Sequence, residues 1–331
     1  MVVSTKLQTP PGTSLKSLVR GFVLTKRTDD KSPRTVGYYE GNLRRFLWYV
    51  EKQDCPEDAR LITEWHIREF LAYTASEGDR WGLKGNGSES SQKRASHLTV
   101  HHYYAVLKAF FNWCVREGFL TDSPLSKVNI PNPKPKVIQP YTPKEIAQML
   151  EVCRYDYQHN AKFLGSRNMA IILILLDTGL RVSEIASIKV KDVDGERGWI
   201  KVQGKGDKER VVRIGATAQK ALWRYLVHRS DNERPELWLT EEGRPLRSTG
   251  IQIMVKRLKQ RAGVTSNGNC HRFRHTFALN FLRVDRNPFN LQYLLGHSDL
   301  KMVRHYTAAL GMEDALKAHE KASPADMLNL K

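Results

Sequence analysis

The 331-residue chain is long enough for two domains, each with a core of its own. It carries 53 lysines and arginines against 35 aspartates and glutamates, and the resulting formal net charge of +18 at pH 7 favours a polyanionic partner such as nucleic acid. The longest apolar run, Met169–Leu176, is too short to span a bilayer, and the first residues lack the pattern of a secretory signal, so we expect a cytoplasmic protein.

The first half of the chain has the apolar spacing of helices. Leu15–Phe22 begins the series, and Ser32, followed by a proline, has the pattern of an N-cap for a second helix. Thr63 can cap a third helix, and a fourth runs from about Thr99 to Gly118. We therefore expect a wholly helical first domain.

Two segments interrupt this pattern. Glu77–Ala95 is rich in glycine, serine and charge, which indicates a loop between the third and fourth helices. Ile130–Val137 contains three prolines within five residues, a composition typical of an extended spacer. The predicted organisation is, in order, an N-terminal tail at 1–13, a helical domain at 14–128, a Pro-rich linker at 129–140, a second domain at 141–311 and a C-terminal tail at 312–331.

The second domain mixes helices with strands. Thr142 and Glu145 form a capping box around a proline at the first helical position. Trp199–Gln203 and Arg210–Ile214 alternate like antiparallel strands, joined by a turn at Gly204–Lys208. Further helices are predicted at 169–176, from about 181, and at 218–228, 248–262, 271–282 and 291–295. The predicted fold class is therefore mainly α with a small antiparallel β-sheet.

Several polar residues of the second domain suit chemistry on a phosphodiester. Such a group is anionic and its leaving alkoxide is poor, so cleavage needs cationic donors, a proton for the leaving oxygen and a nucleophile. Arg181, within Thr178–Glu184, and Arg274 can supply the fixed fork of donors that matches a phosphate. Lys205, on the predicted turn, can donate a proton when cationic neighbours lower its pKa, and Lys208 is the alternative in the same turn.

Two histidines and a tyrosine complete the candidate set. His271 lies three residues before Arg274, on the same helix face, and can exchange a proton near neutral pH. We interpret His275, also on that face, as structural. His297 follows a glycine in an elbow between helices, where it can hydrogen-bond a phosphate oxygen. Tyr306 is the candidate nucleophile, since a phenol needs cationic neighbours to react near neutral pH.

Other kinds of site fit the sequence poorly. Gly204–Lys208 lacks the full pattern of a phosphate-binding P-loop or of a dinucleotide fingerprint. The four cysteines are far apart in the chain, which favours buried thiols over a zinc or redox site. We expect no metal and no cofactor.

The candidate set resembles the catalytic residues of tyrosine site-specific recombinases, the phage-integrase and Xer/Cre family. The resemblance lies in the order, the spacing and the flanking sequence of six residues: Arg181, Lys205, His271, Arg274, His297 and Tyr306. It is specific over Thr142–Thr307, weaker over 14–128, and departs from the family only at Phe273, where leucine is commoner. It implies a helical, SAM-like core-binding domain that closes on DNA together with a mixed α+β catalytic domain.

The resemblance also implies the reaction. Tyr306 attacks the scissile phosphate of double-stranded DNA with inverted-repeat core sites, giving a 3′-phosphotyrosyl link and a free 5′ hydroxyl. Strands then exchange through a Holliday junction in a tetramer, without metal or nucleotide. Glu184, one turn after Arg181, is expected to orient the active-site groups. The tail at 312–331 is expected either to pass into a neighbouring subunit or to pack on its own domain.

Affinity for DNA should come mainly from phosphate contacts. The expected contributors on the first domain are Arg34, Thr35, Lys93, Arg94, Thr99, His101 and Lys108. On the second domain they are Arg247, Lys256 and Arg257.

The biological role is less determined by the sequence. The short segment at 1–13 leaves no room for the arm-binding domain of lambda-type integrases, while the loop at Glu77–Ala95 and the long tail favour an integrase or transposase of a mobile element. A Xer-type chromosome dimer resolvase is the alternative. A type IB topoisomerase-like nicking-closing enzyme and a catalytically silent DNA-binding protein are more distant ones.

Overall fold

The computed structural model describes residues 12–76, 94–133, 139–204, 209–229 and 233–296, together with Leu316, His319, Glu320, Ser323 and Asp326. The chain divides into two compact units, Met1–Pro135 and Lys136–Lys331. The described residues are mostly helical and include a small antiparallel sheet, which confirms the predicted fold class. Among these residues, none of the helices combines the length and the hydropathy of a membrane span.

Several predicted features lie outside the described residues. They are most of the loop after the third helix, the middle of the Pro-rich linker, the tip of the turn at 205–208 and nearly all of the chain after residue 296.

The described part of the first unit is built from helices. In its described part the helices are α1 Leu15–Thr28, α2 Pro33–Lys52, α3 Glu64–Ser76 and α4 His97–Arg116. Their apolar faces meet in one core, in which aromatic rings pack edge to face, as between Phe22 and Phe110 at a centroid distance of 5.7 Å and Phe46 and Phe70 at 5.1 Å. Such pairs add to the free energy gained by burying the rings.

Serine hydroxyls set the start of two of these helices. The Ser32 hydroxyl accepts from the backbone N–H of Thr35, as its sequence pattern predicted. Ser96 caps α4 in the same way, so this helix begins two residues before the expected Thr99. Thr63 does precede α3, but its hydroxyl pairs with the His66 ring at 3.1 Å. The His66 ring thus competes with the helix N-terminus for the Thr63 hydroxyl, and a capping pattern in the sequence does not reveal such a competitor.

The second unit alternates helices with a sheet. Its described elements are α5 Pro143–Gln158, α6 Lys162–Thr178, α7 Val182–Ala186, β1 Val193–Asp194, β2 Trp199–Gln203, β3 Glu209–Arg213, α8 Ala216–His228, α9 Ser248–Arg261, α10 Cys270–Asp285 and α11 Pro288–Leu295. The sheet order is β1-β2-β3, all antiparallel. The sequence missed β1 because two residues are too few to show an alternation.

The buried helix α6 is the centre of this unit. It begins at Lys162, seven residues before the predicted start at Met169. The polar residues of its first turns are buried together with the apolar ones. Arg167, for example, donates from Nη1 to the carbonyl oxygen of Leu239 at 2.7 Å. A helix surrounded by core has no apolar stripe, so the sequence pattern gives no sign of the helix before Met169.

Candidate active site

Arg181 occupies the turn between α6 and α7. Gly179 ends α6 with a φ of +60°, and Arg181 follows in an extended conformation as the N-cap of α7. A Cβ at residue 179 would lie 2.5 Å from Cδ1 of Phe277 and 2.9 Å from Cδ2 of Leu295, so this turn is packed directly against α10 and α11. The Arg181 side chain remains 36% exposed and accessible to a ligand.

Glu184 is the buried carboxylate behind Arg181. Its side chain is only 4% exposed and accepts from the backbone N–H of Arg181 at 2.8 Å and from Nη1 of Arg181 at 2.9 Å. Burial alone would raise the pKa of Glu184, but hydrogen bonds from Arg210 and Arg181 and their charges outweigh it and hold the pKa below its ordinary value. Glu184 is therefore an anion that fixes the Arg181 guanidinium.

Arg210 on β3 is the second partner of this carboxylate, and the sequence did not reveal it. Its two Nη atoms donate to the two oxygens of Glu184, each at 3.0 Å. Across the hairpin Arg210 faces Val202, and it shares a face of β3 with the buried Val212. The alternation of the strand places Arg210 on the same face as the apolar Val212, and a charge on a buried face needs a partner. That pattern could have identified Arg210 from the sequence.

Arg274 lies in the interior although the sequence placed it on one face with His271. Arg274 is 1% exposed, whereas His271 is exposed. Arg274 donates from Nη1 to the carbonyl oxygen of Gly179 at 2.8 Å and from Nη2 to that of Leu295 at 2.9 Å. It therefore joins the turn before Arg181 to the C-terminus of α11.

His271 sits in the first turn of α10, with its ring edge-on to that of His275 at a centroid distance of 4.9 Å. Although the residue is exposed overall, partial burial of its ring lowers the pKa below the ordinary 6.5, and the charges of Arg274 and Arg181 lower it further. Arg274 lies three residues after His271 on α10 and bonds to the carbonyl of Gly179 in the turn that presents Arg181, so the three residues belong to one region of the unit. A neutral imidazole beside two guanidinium groups can accept a proton from a nucleophile while the cations hold an anion.

Arg272, next to His271 in the chain, points inward and anchors the start of the unit. Its Nε donates to the carbonyl oxygen of Gln139 at 2.7 Å, and its Nη2 donates to that of Pro140 at 2.8 Å and to Oε2 of Glu145 at 3.1 Å. Glu145 in turn closes the predicted capping box with Thr142. The helix that carries His271 is therefore tied to the segment that leaves the linker.

The remaining candidates divide by location. Lys205, Lys208, His297, Tyr306 and Lys93 lie outside the described residues. Exposed on the surface of their own units are Arg34, Arg94, Lys108, Arg247, Lys256 and Arg257.

Three other predicted contact residues are partly committed to local structure. The hydroxyls of Thr35 and Thr99 each pair with a capping serine, and the ring of His101 pairs with the Asn132 side chain at 3.0 Å. Within the described ranges, no group of three His, Cys, Asp or Glu side chains is placed to hold a metal ion.

Comparison with known sequences identifies a family and relatives that align with most of the chain. Residues 140–312 match the profile of the phage integrase family. The tyrosine recombinase XerC of Oceanobacillus iheyensis is 28% identical over 302 residues, which cover 88% of this chain and 92% of the relative.

Two solved structures share the fold. One is the XerH site-specific recombinase bound to a palindromic difH substrate in a post-cleavage complex, with a TM-score of 0.69 and 23% identity, covering 95% of this chain and 85% of that chain. The other is the Tn1549 transposon integrase in complex with transposon right end DNA, with a TM-score of 0.69 and 21% identity, covering 94% of this chain and 99% of that chain. At these identities the likeness concerns the fold.

Proposed function

Because the chain belongs to the phage integrase family of tyrosine recombinases, we propose that it cleaves and rejoins double-stranded DNA at specific core sites through a 3′-phosphotyrosyl intermediate. The observation that carries this proposal is the position of His271 and Arg274 on one helix, α10, with Arg274 bonded to the turn that presents Arg181. Two guanidinium groups and a neutral imidazole suit a phosphodiester whose charge grows during attack.

Each candidate has a role in one balanced step. The Tyr306 oxygen forms a bond to the scissile phosphorus while the bond to the 5′ oxygen breaks. His271 accepts the tyrosine proton, and Lys205 gives a proton to the departing 5′ oxygen. Arg181 and Arg274, joined by His297, hold the non-bridging oxygens. The reverse reaction, with a different 5′ hydroxyl, rejoins the strand and conserves the energy of the bond.

The two predicted domains divide the remaining work. We assign residues 14–128 to core binding and 141–311 to catalysis, with the exposed basic residues named above contacting phosphates. Strand exchange between inverted-repeat core sites requires four copies of the chain around one Holliday junction. The tail at 312–331 would join neighbouring copies, and the cytoplasm is where such a protein would meet its DNA.

For the biological role we propose integration or excision of a mobile element. The Gly- and Ser-rich segment at Glu77–Ala95, an addition to the helical domain, supports it. A Xer-type dimer resolvase is the second candidate, favoured by the relative named XerC, which aligns over 88% of this chain. Mapping the bound DNA site separates the two: repeats flanking the gene itself favour a mobile element, and a single distant chromosomal site favours the resolvase.

The test begins with the full-length protein and a randomised duplex library, from which bound sequences are enriched. A nicked suicide duplex carrying the enriched site should then trap a covalent protein–DNA adduct on a denaturing gel, in EDTA and without nucleotide. Strict dependence of cleavage on magnesium would contradict the tyrosine mechanism. Binding without any adduct would indicate a silent DNA-binding protein, and relaxation of supercoiled plasmids that lack the site would indicate a topoisomerase.

A further inference from the structure

Arg210 makes contacts with separate parts of the second unit through one guanidinium group. Besides its paired hydrogen bonds to Glu184, its Nε donates to the carbonyl oxygen of Leu294 at 3.2 Å. Only 13% of the side chain is exposed. A lysine cannot reproduce this arrangement, because its ammonium is a point donor rather than a planar fork.

The contact with Leu294 lies at the C-terminus of α11, where the last carbonyl groups have no partner within the helix. Arg210 donates a hydrogen bond to the carbonyl oxygen of Leu294, and Arg274 donates one to that of Leu295. Gly296 then turns the chain with a φ of +63°, and a Cβ there would lie 3.1 Å from Nη1 of Arg210. The guanidinium therefore packs against the backbone immediately before His297.

The contact with Glu184 fixes the hairpin. Arg210 stands in β3, next to the pair formed by Gln203 and Glu209 that closes the described part of the hairpin. Lys205 belongs to the segment joining these two strands. Because charge-assisted hydrogen bonds to a buried carboxylate are strong and directional, the base of the hairpin is held relative to Glu184 and thereby to Arg181.

We propose that Arg210 is a positioning residue for strand cleavage, which holds Arg181, the base of the Lys205 hairpin and the residue before His297 in one fixed arrangement without contacting the phosphate. The inference rests on the proposed strand-cleavage function. Small displacements of reacting groups are costly in rate, so loss of Arg210 should slow the reaction in a protein that still binds DNA.

The experiment compares the wild type with Arg210→Met and Arg210→Lys on the nicked suicide duplex, under single-turnover conditions at saturating protein. We expect Arg210→Met to form the covalent adduct about 10²-fold more slowly, while its Kd for the uncleaved duplex stays close to that of the wild type. Arg210→Lys keeps the charge and should recover little of the rate. Arg213→Met is the matched control, since it removes the same charge from an exposed position of β3.

A double variant tests the route of the effect. If Arg210 acts through the buried carboxylate, Arg210→Met combined with Glu184→Gln should cleave about as slowly as the slower single variant, whereas losses that multiply would overturn the proposal. Wild-type rates in Arg210→Met or Arg210→Lys would also overturn it. Should Arg210→Met fail to fold, Arg210→Lys and the double variant, in which no buried carboxylate is left without Arg210, decide by the same rates. Absence of an adduct with the wild type would instead refute the proposed function itself.

Discussion

Arg272 lies over the ring of Tyr141, with its guanidinium carbon 4.2 Å from the ring centroid. Its side chain is 5% exposed, although the preceding residue, His271, is exposed. The first turn of α10 therefore directs His271, the candidate proton acceptor, to the surface and Arg272 into the interior. Tyr141 pairs with this cation in the interior, and burial, partly offset by the charge of Arg272, raises the pKa of its phenol.

This anchor should matter for stability. Arg272→Met removes one partner of a buried ion pair and leaves Glu145 without its guanidinium, so we expect a loss of about 3–5 kcal/mol in the free energy of unfolding. Urea denaturation of the full chain measures it. Arg283→Met, at an exposed position of the same helix, is the control and should change stability little. A loss below about 1 kcal/mol for Arg272→Met would mean that the pair is not held as described.

The titration of His271 provides a second prediction. Because its pKa lies below 6.5, the folded protein protonates this ring at a lower pH than the unfolded chain does. The resulting stability is present above pH 6.5 and is lost as the pH falls through the lowered pKa. NMR of the ring protons, assigned with His271→Asn, should give a midpoint below 6.5.

Arg181→Met should move that midpoint upward, because it removes a positive neighbour of the ring. Arg197→Met, which removes an exposed arginine, serves as the control. A wild-type midpoint at or above 6.5 would contradict the geometry described for Arg181 and Arg274.

For Lys205, we predict that the loss of cleavage on substitution is a loss of proton donation to the leaving 5′ oxygen. Lys205→Ala should slow cleavage by about 10²–10⁴-fold, the usual contribution of general acid catalysis. A substrate with sulfur in the 5′-bridging position should restore most of this loss, because a thiolate leaves without a proton. Arg181→Ala should not be rescued in this way. If instead Lys208→Ala fails and is rescued by sulfur while Lys205→Ala is unaffected, the acid is Lys208.

The nucleophile is tested by Tyr306→Phe. This variant should bind and pair core sites but trap no covalent adduct on the suicide duplex, since the phenyl ring has no oxygen to attack phosphorus. Tyr293→Phe is the matched control, because Tyr293 lies on α11 with 80% of its surface exposed. An adduct that persists in Tyr306→Phe and disappears in Tyr293→Phe would reassign the nucleophile.

Local signals in the sequence were sufficient for most element starts and for the fold class. The capping box of Thr142 and Glu145 and the Ser32 cap depend on neighbours in the chain, and both are confirmed. The predicted strand β2 has the same bounds in the structure, Trp199–Gln203. Such features need no knowledge of tertiary contacts.

What the sequence could not provide were the long-range partners. Arg274 binds carbonyls of Gly179 and Leu295, and a backbone carbonyl has no identity in a sequence pattern. The sequence shows Arg210 only as a residue of a strand, because its partner, Glu184, belongs to another element. Both arginines find their partners because they are buried, and burial depends on how segments that are distant in the sequence pack together.

Gly179 has a consequence for altering this protein by directed evolution. Its left-handed φ and the nearness of Phe277 and Leu295 strongly disfavour a side chain, and its carbonyl holds Arg274. A combinatorial library across 178–184 that varies residue 179 would therefore consist mostly of inactive clones. Diversity is better placed at exposed positions such as Arg247 and Arg257, whose side chains make none of the contacts described around Arg181.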